Sequence, residues 1–386
     1  MHTRIAITGM GASTGFGAGV DALWAGLLDG KRAMSVRPEL AALTSSPLAL
    51  SPLVPFDAPG RATSLALGAA EEALADAGLG PSEARSLGIA CGTTLGGVGG
   101  WLRVVRASQA GESASTAPRR WSYAGPAQAL AEAFGVRGPV QVSSVACASA
   151  NSAFGLAIDR LREGSVEAML AGGVDALHDF VIAGFGCLKA LDGQPCRPFD
   201  RSRRGLNLGD GAGFLVLETE AHARRRGARI HAWLDGFGSA SDAVHMTGPD
   251  REGRGAGRAM QAALRDAGAA AADVDHISAH GTATQFNDLM EGKAIGLVLG
   301  DRRVPVVSLK GGVGHTLGAA GAIEAIAAVR GLQTGLIPPT VGLQEIDPEI
   351  ALDVVAHQPR GGLLRTILST SSGFGGTNAA IVLRHV

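Results

Sequence analysis

Two stretches of the chain, residues 140–158 and 304–327, repeat one physical pattern. Each begins with an extended apolar run, passes through a turn that carries a chemically active side chain, and continues as a helix rich in Ala and Gly. Short buried strands and helices alternate along most of the remaining sequence. This alternation predicts an α/β fold with covered sheets. The length of 386 residues exceeds one typical core, so the repeat predicts two similar halves, residues 1–228 and 229–386, that meet face to face.

One segment does not follow this alternation. Residues 94–125 are rich in Gly, Ser, Ala and Arg and show neither a helical nor a strand period. We expect them to form a long irregular excursion over the surface.

Composition and charge exclude several classes of protein. The net charge is -1 at pH 7, so no overall basic field favours nucleic acid. The four cysteines form no Cys-x-x-Cys pair, which argues against a disulfide framework and a structural zinc site. The sequence begins with a strand-like run rather than a signal peptide, and no stretch reaches the roughly 18 apolar residues of a membrane span. We therefore expect a soluble, cytoplasmic protein.

Three side chains, Cys147, His280 and His315, lie in turns built from small residues. A thiol and two imidazoles can hold an acyl group as a thioester while a second substrate reacts. Cys147 falls between a predicted strand and a predicted helix, where a sharp turn exposes a nucleophile at the edge of a sheet. We expect the dipole of that helix to stabilise the thiolate and lower its pKa. The other three cysteines lack this setting and are predicted to be structural.

Two glycine-containing segments suggest phosphate binding only weakly. Residues 373–378 lack the Lys-Ser/Thr of a P-loop and precede a predicted strand rather than a helix. The Gly-Met-Gly run at residues 9–11 lacks the third glycine and the acidic ribose partner of a dinucleotide site.

The order and spacing of eight short motifs resemble the β-ketoacyl-acyl carrier protein synthases of the thiolase superfamily, with the type II long-chain branch most similar. The motifs span essentially the whole chain and occupy residues 7–11, 146–148, 196–200, 208–213, 241–247, 280–288, 310–321 and 373–378. The resemblance implies the thiolase fold, in which two α/β halves build a five-layered α-β-α-β-α architecture. It also implies an acyltransferase.

In this family, the reaction implied is a decarboxylative Claisen condensation. Cys147 would take an acyl chain, and malonyl-acyl carrier protein would lose its carboxylate and attack it to give 3-oxoacyl-acyl carrier protein. His280 and His315 would donate hydrogen bonds through Nε2 to the developing enolate oxygen. Both would have to be neutral donors, which burial favours. The backbone N–H groups of Cys147 and Phe374 would form a second oxyanion hole.

The resemblance assigns supporting roles to further residues. Lys310 and Glu324 resemble a buried ion pair that positions the second histidine, and the alternative for Glu324 is a solvated helix residue. Thr282 and Thr284 resemble the positions that hydrogen-bond the pantetheine amides. Phe374 resembles a gating phenylalanine. The glycines that give its loop freedom to move are Gly373, Gly375 and Gly376.

The partner implied by the resemblance is an acyl carrier protein, which delivers phosphopantetheine; no intrinsic cofactor and no metal are implied. A basic cluster could meet the carrier, although a solvated loop explains it equally well; it comprises Arg103, Arg106, Arg119 and Arg120. A homodimer is implied, with a heterodimer containing a ketosynthase-like subunit as the other arrangement.

Several positions depart from the family pattern and leave the acyl substrate open between fatty acid and specialised polyketide or polyene biosynthesis. They are Val145, Leu206, Asn207 and Ser372. Two other functions on the same scaffold stay open. One is acyl transfer to an alcohol or amine without decarboxylation, and the other is a non-elongating partner subunit. The presence of Cys147 argues against the second, and the presence of both histidines argues against the first.

Overall fold

The computed structural model describes residues 3–58, 60–112 and 122–386. The strands, in chain order, are β1 (Ile5–Thr14), β2 (Gly17–Ala18), β3 (Gly88–Gly92), β4 (Val140–Ser143), β5 (Ala168–Asp175), β6 (Gly211–Thr219), β7 (Ala232–Ser241), β8 (His276–Ser278), β9 (Pro305–Val307), β10 (Leu336–Ile337), β11 (Asp353–Val354), β12 (Arg360–Gly361), β13 (Thr366–Gly373) and β14 (Thr377–Arg384).

The helices are α1 (Val20–Leu28), α2 (Arg61–Asp76), α3 (Pro81–Ala84), α4 (Val98–Gln109), α5 (Gly125–Phe134), α6 (Ser149–Arg162), α7 (Asp179–Cys187), α8 (Glu220–Arg225), α9 (Arg254–Asp266), α10 (Gln285–Leu299), α11 (Lys310–Val313) and α12 (Ala320–Thr334). Short 3₁₀ turns cover Pro38–Leu40, Ala271–Asp273 and Leu317–Ala319.

The strand order repeats within the sheet. The first five-stranded set runs β4-β3-β5-β6-β1, and the second runs β9-β8-β13-β14-β7, so each position in one set has an equivalent in the other. The two sets join where β1 pairs antiparallel with β7, through the pairs Ala6–Trp233 and Ile7–Ala232. The same connectivity is therefore used twice along the chain.

Alternation along the strands sends side chains into two different cores. On β5, Met169 and Ala171 face a central core that also contains α6 and α12. Their neighbours Ala168 and Leu170 face an outer core formed with α2 and α5. In the second set, Leu368 and Val382 face another outer core formed with α9 and α10.

The layers therefore follow in the order helix, sheet, helix, sheet, helix, and the predicted α/β fold of thiolase type with five layers is confirmed.

The link between α8 and β7 spans the predicted boundary at residue 228, and the division of the chain into two units there stays a prediction. Within the described ranges, no helix is long and apolar enough to cross a membrane.

The Gly-Met-Gly run of β1 is a packing feature. A Cβ atom at Gly9 would lie 2.1 Å from the carbonyl oxygen of Ala73, and one at Gly11 would lie 1.9 Å from that of Ala69. Both carbonyls belong to α2, so the missing side chains let this helix lie directly on the strand. The glycines are explained without a dinucleotide.

The prediction of an irregular excursion at residues 94–125 is wrong for much of that segment. Helix α4 occupies Val98–Gln109, and α5 begins at Gly125. No residue of α4 is buried, and its first turn includes Gly99 and Gly100. Low intrinsic propensity and the lack of a buried stripe explain why the sequence pattern did not reveal this helix.

Candidate active site

The nucleophile turn lies between β4 and α6. Its distinctive feature is Ala146, which has a φ of 51°, in the left-handed region that non-glycine residues rarely adopt. The carbonyl of Ala146 accepts hydrogen bonds from the hydroxyls of Ser149 at 2.6 Å and Thr94 at 3.2 Å. The Ser149 hydroxyl also accepts from the N–H of Val145 at 2.9 Å. The strained turn that presents Cys147 is thus held from both sides.

His280 follows β8 and is fixed by a buried carboxylate. Glu291, on α10, accepts hydrogen bonds from the backbone N–H groups of His280 and Gly281, each at 2.7 Å, and from the Thr370 hydroxyl at 2.8 Å. The Nδ1 atom of His280 lies 3.3 Å from the ammonium of Lys310. Backbone and ring are therefore both anchored.

His315 lies in the turn before the 3₁₀ segment Leu317–Ala319. Its backbone N–H donates to the carbonyl of Asn207 at 2.7 Å, and its Nδ1 accepts from the N–H of Leu317 at 3.2 Å. Its Nε2 lies 3.0 Å from the sulfur of Cys147. The His280 and His315 rings meet edge to face, with centroids 5.3 Å apart.

The partners of Nδ1 define the tautomer of both histidines. Each Nδ1 faces an N–H donor, from Lys310 or from Leu317, so a neutral ring must carry its proton on Nε2. Burial first, and then the positive charge of Lys310, holds the pKa of both imidazoles well below the usual value. Both rings are therefore neutral Nε2–H donors. Their donor atoms and the Cys147 sulfur could also surround a metal ion, but a protonated Nε2 has no lone pair to offer one.

The predicted lowering of the Cys147 pKa is wrong. Burial raises the pKa of this thiol to about 12, with the charges of Asp175 and Glu324 adding to the effect and that of Lys310 opposing it. Helix α6 begins at Ser149, two positions later, but desolvation of the thiolate outweighs the dipole. The resting group is a thiol, and its anion depends on the hydrogen bond from His315.

The ion pair of Lys310 and Glu324 lies behind His280. The two charged groups are 2.5 Å apart and almost completely buried. The expected contact of this pair was with the second histidine, whereas Lys310 here lies against His280 and only its charge acts on His315. The reason is the position of Lys310 at the start of α11, beside the turn that follows β8.

A cavity of about 930 Å³ connects these groups with the surface. The predicted residues that line it are Cys147, His280, Thr282, Thr284, His315, Gly373 and Phe374. The hydroxyls of Thr282 and Thr284 are 2.9 Å apart. Gly375 does not line the cavity, and Lys310 and Glu324 lie outside its wall.

Phe374 lies at the opening of this cavity and is 38% exposed. Its ring stacks on Phe185 with centroids 5.8 Å apart. The preceding Gly373 packs against the nucleophile turn, because a Cβ atom there would lie 3.2 Å from the backbone nitrogen of Cys147. Gly375 has a φ of 86° and donates its N–H to the Met246 carbonyl at 2.7 Å.

Two buried carboxylates of this site were not predicted. Glu291 holds the His280 turn, and Asp175 accepts hydrogen bonds from the loops after β3 and before α12. Each is completely enclosed, and buried carboxylates are rare unless they bind donors. The available signal was an acidic residue at the end of an apolar strand, as in residues 168–175.

Buried histidines also make the fold sensitive to acid. His276 on β8 is an example outside the cavity: its Nδ1 lies 2.8 Å from the Pro305 carbonyl, and burial lowers its pKa to about 4. In the unfolded chain this ring takes a proton below about pH 6.5, so its contribution to stability falls as pH drops from 6.5 towards 4. The slope contributed is about 1.4 kcal/mol per pH unit.

We expect His276→Gln to flatten the pH dependence of unfolding by about one proton between pH 6.5 and 4.5. Urea unfolding at a series of pH values measures this slope. An unchanged slope in the variant would contradict a neutral His276 in the fold.

Known proteins resemble this chain over most of its length. Residues 57–223 match the N-terminal domain of beta-ketoacyl synthases and residues 231–344 match their C-terminal domain. Nodulation protein E of Rhizobium meliloti is 38% identical over the full length of both chains. The 3-oxoacyl-[acyl-carrier-protein] synthase 2 of Rhizobium meliloti strain 1021 is 36% identical over 99% of each.

Among solved structures, the complex of a type II PKS acyl-carrier protein with its ketosynthase bound to the hexaketide contains a chain with a TM-score of 0.92 to this one. That chain is 32% identical, and the match covers 100% of both. The resemblance inferred from the sequence motifs is confirmed across the whole chain. The chain belongs to the β-ketoacyl synthase family and is an acyltransferase of that class.

Proposed function

We propose that this protein condenses a Cys147-bound acyl chain with malonyl-acyl carrier protein to give 3-oxoacyl-acyl carrier protein, with loss of CO₂. One observation carries this proposal. A buried thiol and two neutral Nε2–H donors meet at the end of one cavity, with His315 at 3.0 Å from the sulfur. This arrangement suits covalent acyl transfer and stabilisation of an enolate oxygen in one place.

In the first half-reaction, the Cys147 thiolate attacks the acyl thioester delivered on phosphopantetheine. Thr282 and Thr284 are the proposed hydrogen-bonding partners of the pantetheine arm. The backbone N–H groups of Cys147 and Phe374 are the proposed oxyanion hole for the tetrahedral intermediate. The carbon–sulfur bond of the donor breaks, and the carrier thiolate leaves and takes up one proton, which balances the proton that the Cys147 thiol lost on attack. Displacement of the Phe374 ring from Phe185 would widen the path to the thiol.

In the second half-reaction, the malonyl thioester occupies the same arm site. Its carboxylate leaves as CO₂, and the electron pair of the broken bond forms an enolate whose oxygen accepts hydrogen bonds from His280 and His315. The enolate carbon attacks the acyl-Cys147 carbonyl. Collapse of this intermediate breaks the carbon–sulfur bond and returns the thiolate. Neutral donors serve this step better than charged ones, since they need not lose or gain a proton.

The ion pair of Lys310 and Glu324 has a positioning role in this proposal. The ammonium fixes the Nδ1 acceptor state of His280 and so keeps the Nε2–H directed at the cavity. Glu324 balances the buried charge of Lys310. Neither group contacts the sulfur.

The mouth of the cavity carries positive side chains, which suit an acidic carrier protein and the phosphodiester of its phosphopantetheine arm. Lys189, Arg204 and Arg251 line it and, within the described ranges, form no ion pair with a carboxylate. By contrast, Arg106 of the predicted docking cluster pairs with Asp179, and Arg119 and Arg120 lie outside the described residues.

We expect the double change Arg204→Glu with Arg251→Glu to raise KM for acyl carrier substrates about tenfold, with kcat nearly unchanged. Electrostatic steering acts on association, so the defect should shrink as salt is added. Arg103→Glu is the matched control on α4. A larger KM effect from Arg103→Glu would place the docking surface on α4 instead of at the mouth.

The substrate is proposed as an acyl group of fatty acid or specialised polyketide or polyene type. Leu206 lines the cavity and Ser372 lies beside Phe374, so both departures from the family pattern lie where they would act on the acyl chain. Simple acyl transfer to an alcohol or amine is not favoured, since it leaves the second histidine donor unused. The protein is proposed to act as a dimer, either with its own copy or with a related subunit.

Location and organisation are also proposals. Three buried thiols and one exposed thiol are all free, which suits the reducing cytoplasm. The repeated strand order supports two units with a boundary near residue 228.

Intact-protein mass spectrometry with a panel of acyl carriers tests the loading step and reveals the preferred chain. The proposed function predicts one acyl adduct per chain, located on Cys147, with a preference for particular chain lengths. No adduct from any donor would contradict the proposal.

A further inference from the structure

The loops of the active site converge on one buried carboxylate outside the cavity wall. Asp175 is the last residue of β5 and is 0% exposed. Its neighbour β3 pairs in parallel with both β4 and β5, so the carboxyl ends of these three strands meet at one edge of the sheet. The Cys147 turn follows β4 at that edge.

The Asp175 carboxylate accepts four hydrogen bonds from two separate loops. After β3, the donors are the Thr93 hydroxyl at 2.8 Å and the N–H groups of Thr94 at 2.8 Å and Leu95 at 2.9 Å. The fourth donor is the N–H of Gly318 at 2.7 Å, from the segment that carries His315. One side chain therefore ties the β3 loop to the histidine segment.

The connection continues to the nucleophile. Thr94 donates its backbone N–H to Asp175 and its hydroxyl to the carbonyl of Ala146, next to Cys147. On the other side, a Cβ atom at Gly318 would lie 2.7 Å from the Asp175 carboxylate. The contact with Gly318 is so close that only glycine fits.

We propose that Asp175 is a positioning residue that holds the His315 segment in register with the Cys147 turn. Movement of either loop changes the 3.0 Å contact between His315 Nε2 and the sulfur, and misplacement of about 1 Å reduces catalysis strongly. The expected loss of condensation activity rests on the proposed function. The expected change in the reactivity of the Cys147 thiol does not.

The chemical consequence follows from charge. The ionisable groups around Cys147 are the neutral His280 and His315, the Lys310–Glu324 pair, and Asp175. The carboxylate of Asp175 contributes to the raised pKa of the thiol. Removing this charge should favour the thiolate while the loss of the hydrogen bonds disturbs the His315 segment. Reactivity and catalysis should therefore change in opposite directions.

The test compares Asp175→Asn with the wild-type protein in two assays. First, alkylation of Cys147 is followed at pH 8 by mass spectrometry of its peptide, with neutral iodoacetamide and anionic iodoacetate. Loosened packing would raise both rates alike, whereas loss of a negative charge favours the anionic reagent. We expect both rates to rise, with the iodoacetate to iodoacetamide ratio increasing about fivefold or more. Second, we expect kcat for condensation to fall about tenfold.

Two further variants separate charge from position. Gly318→Ala keeps the charge of Asp175 but displaces the His315 segment. We therefore expect kcat to fall while the ratio of the iodoacetate rate to the iodoacetamide rate stays unchanged. Asp200→Asn removes a carboxylate that binds the N–H groups of Gln344 and Glu345 away from the cavity, and neither readout should change.

If the ratio of the iodoacetate rate to the iodoacetamide rate is the same in Asp175→Asn as in Asp200→Asn, the electrostatic coupling between Asp175 and the Cys147 thiol is overturned. An unchanged kcat in both Asp175→Asn and Gly318→Ala would overturn the positioning role. The alkylation assay needs no carrier substrate, so it tests Asp175 even if the proposed condensation fails. Circular dichroism establishes that each variant is folded before either assay is interpreted.

Discussion

Cys147→Ala is expected to abolish the acyl adduct and to reduce condensation on the order of 10⁴-fold or more, since Cys147 is the cysteine that lines the cavity. The Ser149 hydroxyl, at the start of α6, is engaged between Val145 and Ala146. The removed side chain is small and its site is already surrounded by the turn, so we expect little loss of stability. Intact mass after incubation with an acyl carrier, and product formation with malonyl carrier, measure the two effects.

The matched control is Cys196→Ala. Cys196 is buried like Cys147, and burial raises its pKa to about 12 as well. Its sulfur, however, lies 3.4 Å from the Lys310 carbonyl, and Cys196 does not line the cavity. This variant should load acyl groups at a normal rate. An adduct that persists in Cys147→Ala and disappears in Cys196→Ala would reassign the nucleophile.

Replacement of His280 or His315 by alanine should each reduce decarboxylation by about 10²–10³-fold, the usual effect of losing one oxyanion donor. His280→Ala should leave acyl loading largely intact, because the hydrogen bond to the sulfur found among the described residues comes from His315. His315→Ala should slow both steps. The measurement is CO₂ release from malonyl carrier beside the rate of acyl loading, for each variant.

The matched control for this pair is His245→Ala. His245 also lines the cavity, but it lies at the exposed mouth, where its Nδ1 accepts from the N–H groups of Thr247 and Gly248. Its loss should leave CO₂ release unchanged. Equal loading defects in His280→Ala and His315→Ala would contradict the division of roles between the two rings.

The sequence was most informative where local chemistry and local structure coincide. The small-residue turn that carries His280 follows the buried strand β8, and the turn that carries Cys147 follows the partly exposed strand β4. Residues 168–171 face two cores in turn, which agrees with the predicted covered sheets. These features depend on neighbours along the chain. The α/β alternation and the turns around the three side chains could be predicted for that reason. The five-layered fold and the meeting of the three turns were implied by the resemblance to the β-ketoacyl synthases.

Other features depend on neighbours in space and were missed. The thiol of Cys147 has a raised pKa because distant elements bury it, although its sequence neighbours indicate a helix terminus. Lys310 contacts His280 rather than His315 because α11 begins beside the β8 turn. Asp175 and Glu291 act mainly through backbone N–H groups, which the sequence does not distinguish. The acidic residue at the end of an apolar strand was the one signal for Asp175. The same holds for α4, which lacks a buried face.

A single-turnover experiment measures whether loss of the acyl group from Cys147 is coupled to decarboxylation. Enzyme preloaded with an acyl group on Cys147 is mixed with malonyl carrier that is isotopically labelled in the free carboxylate. We expect one labelled CO₂ released for each acyl group lost from Cys147, and one unlabelled 3-oxoacyl carrier formed. Transfer of the acyl group without CO₂, or CO₂ release with the acyl group still on Cys147, would contradict decarboxylative condensation at this site.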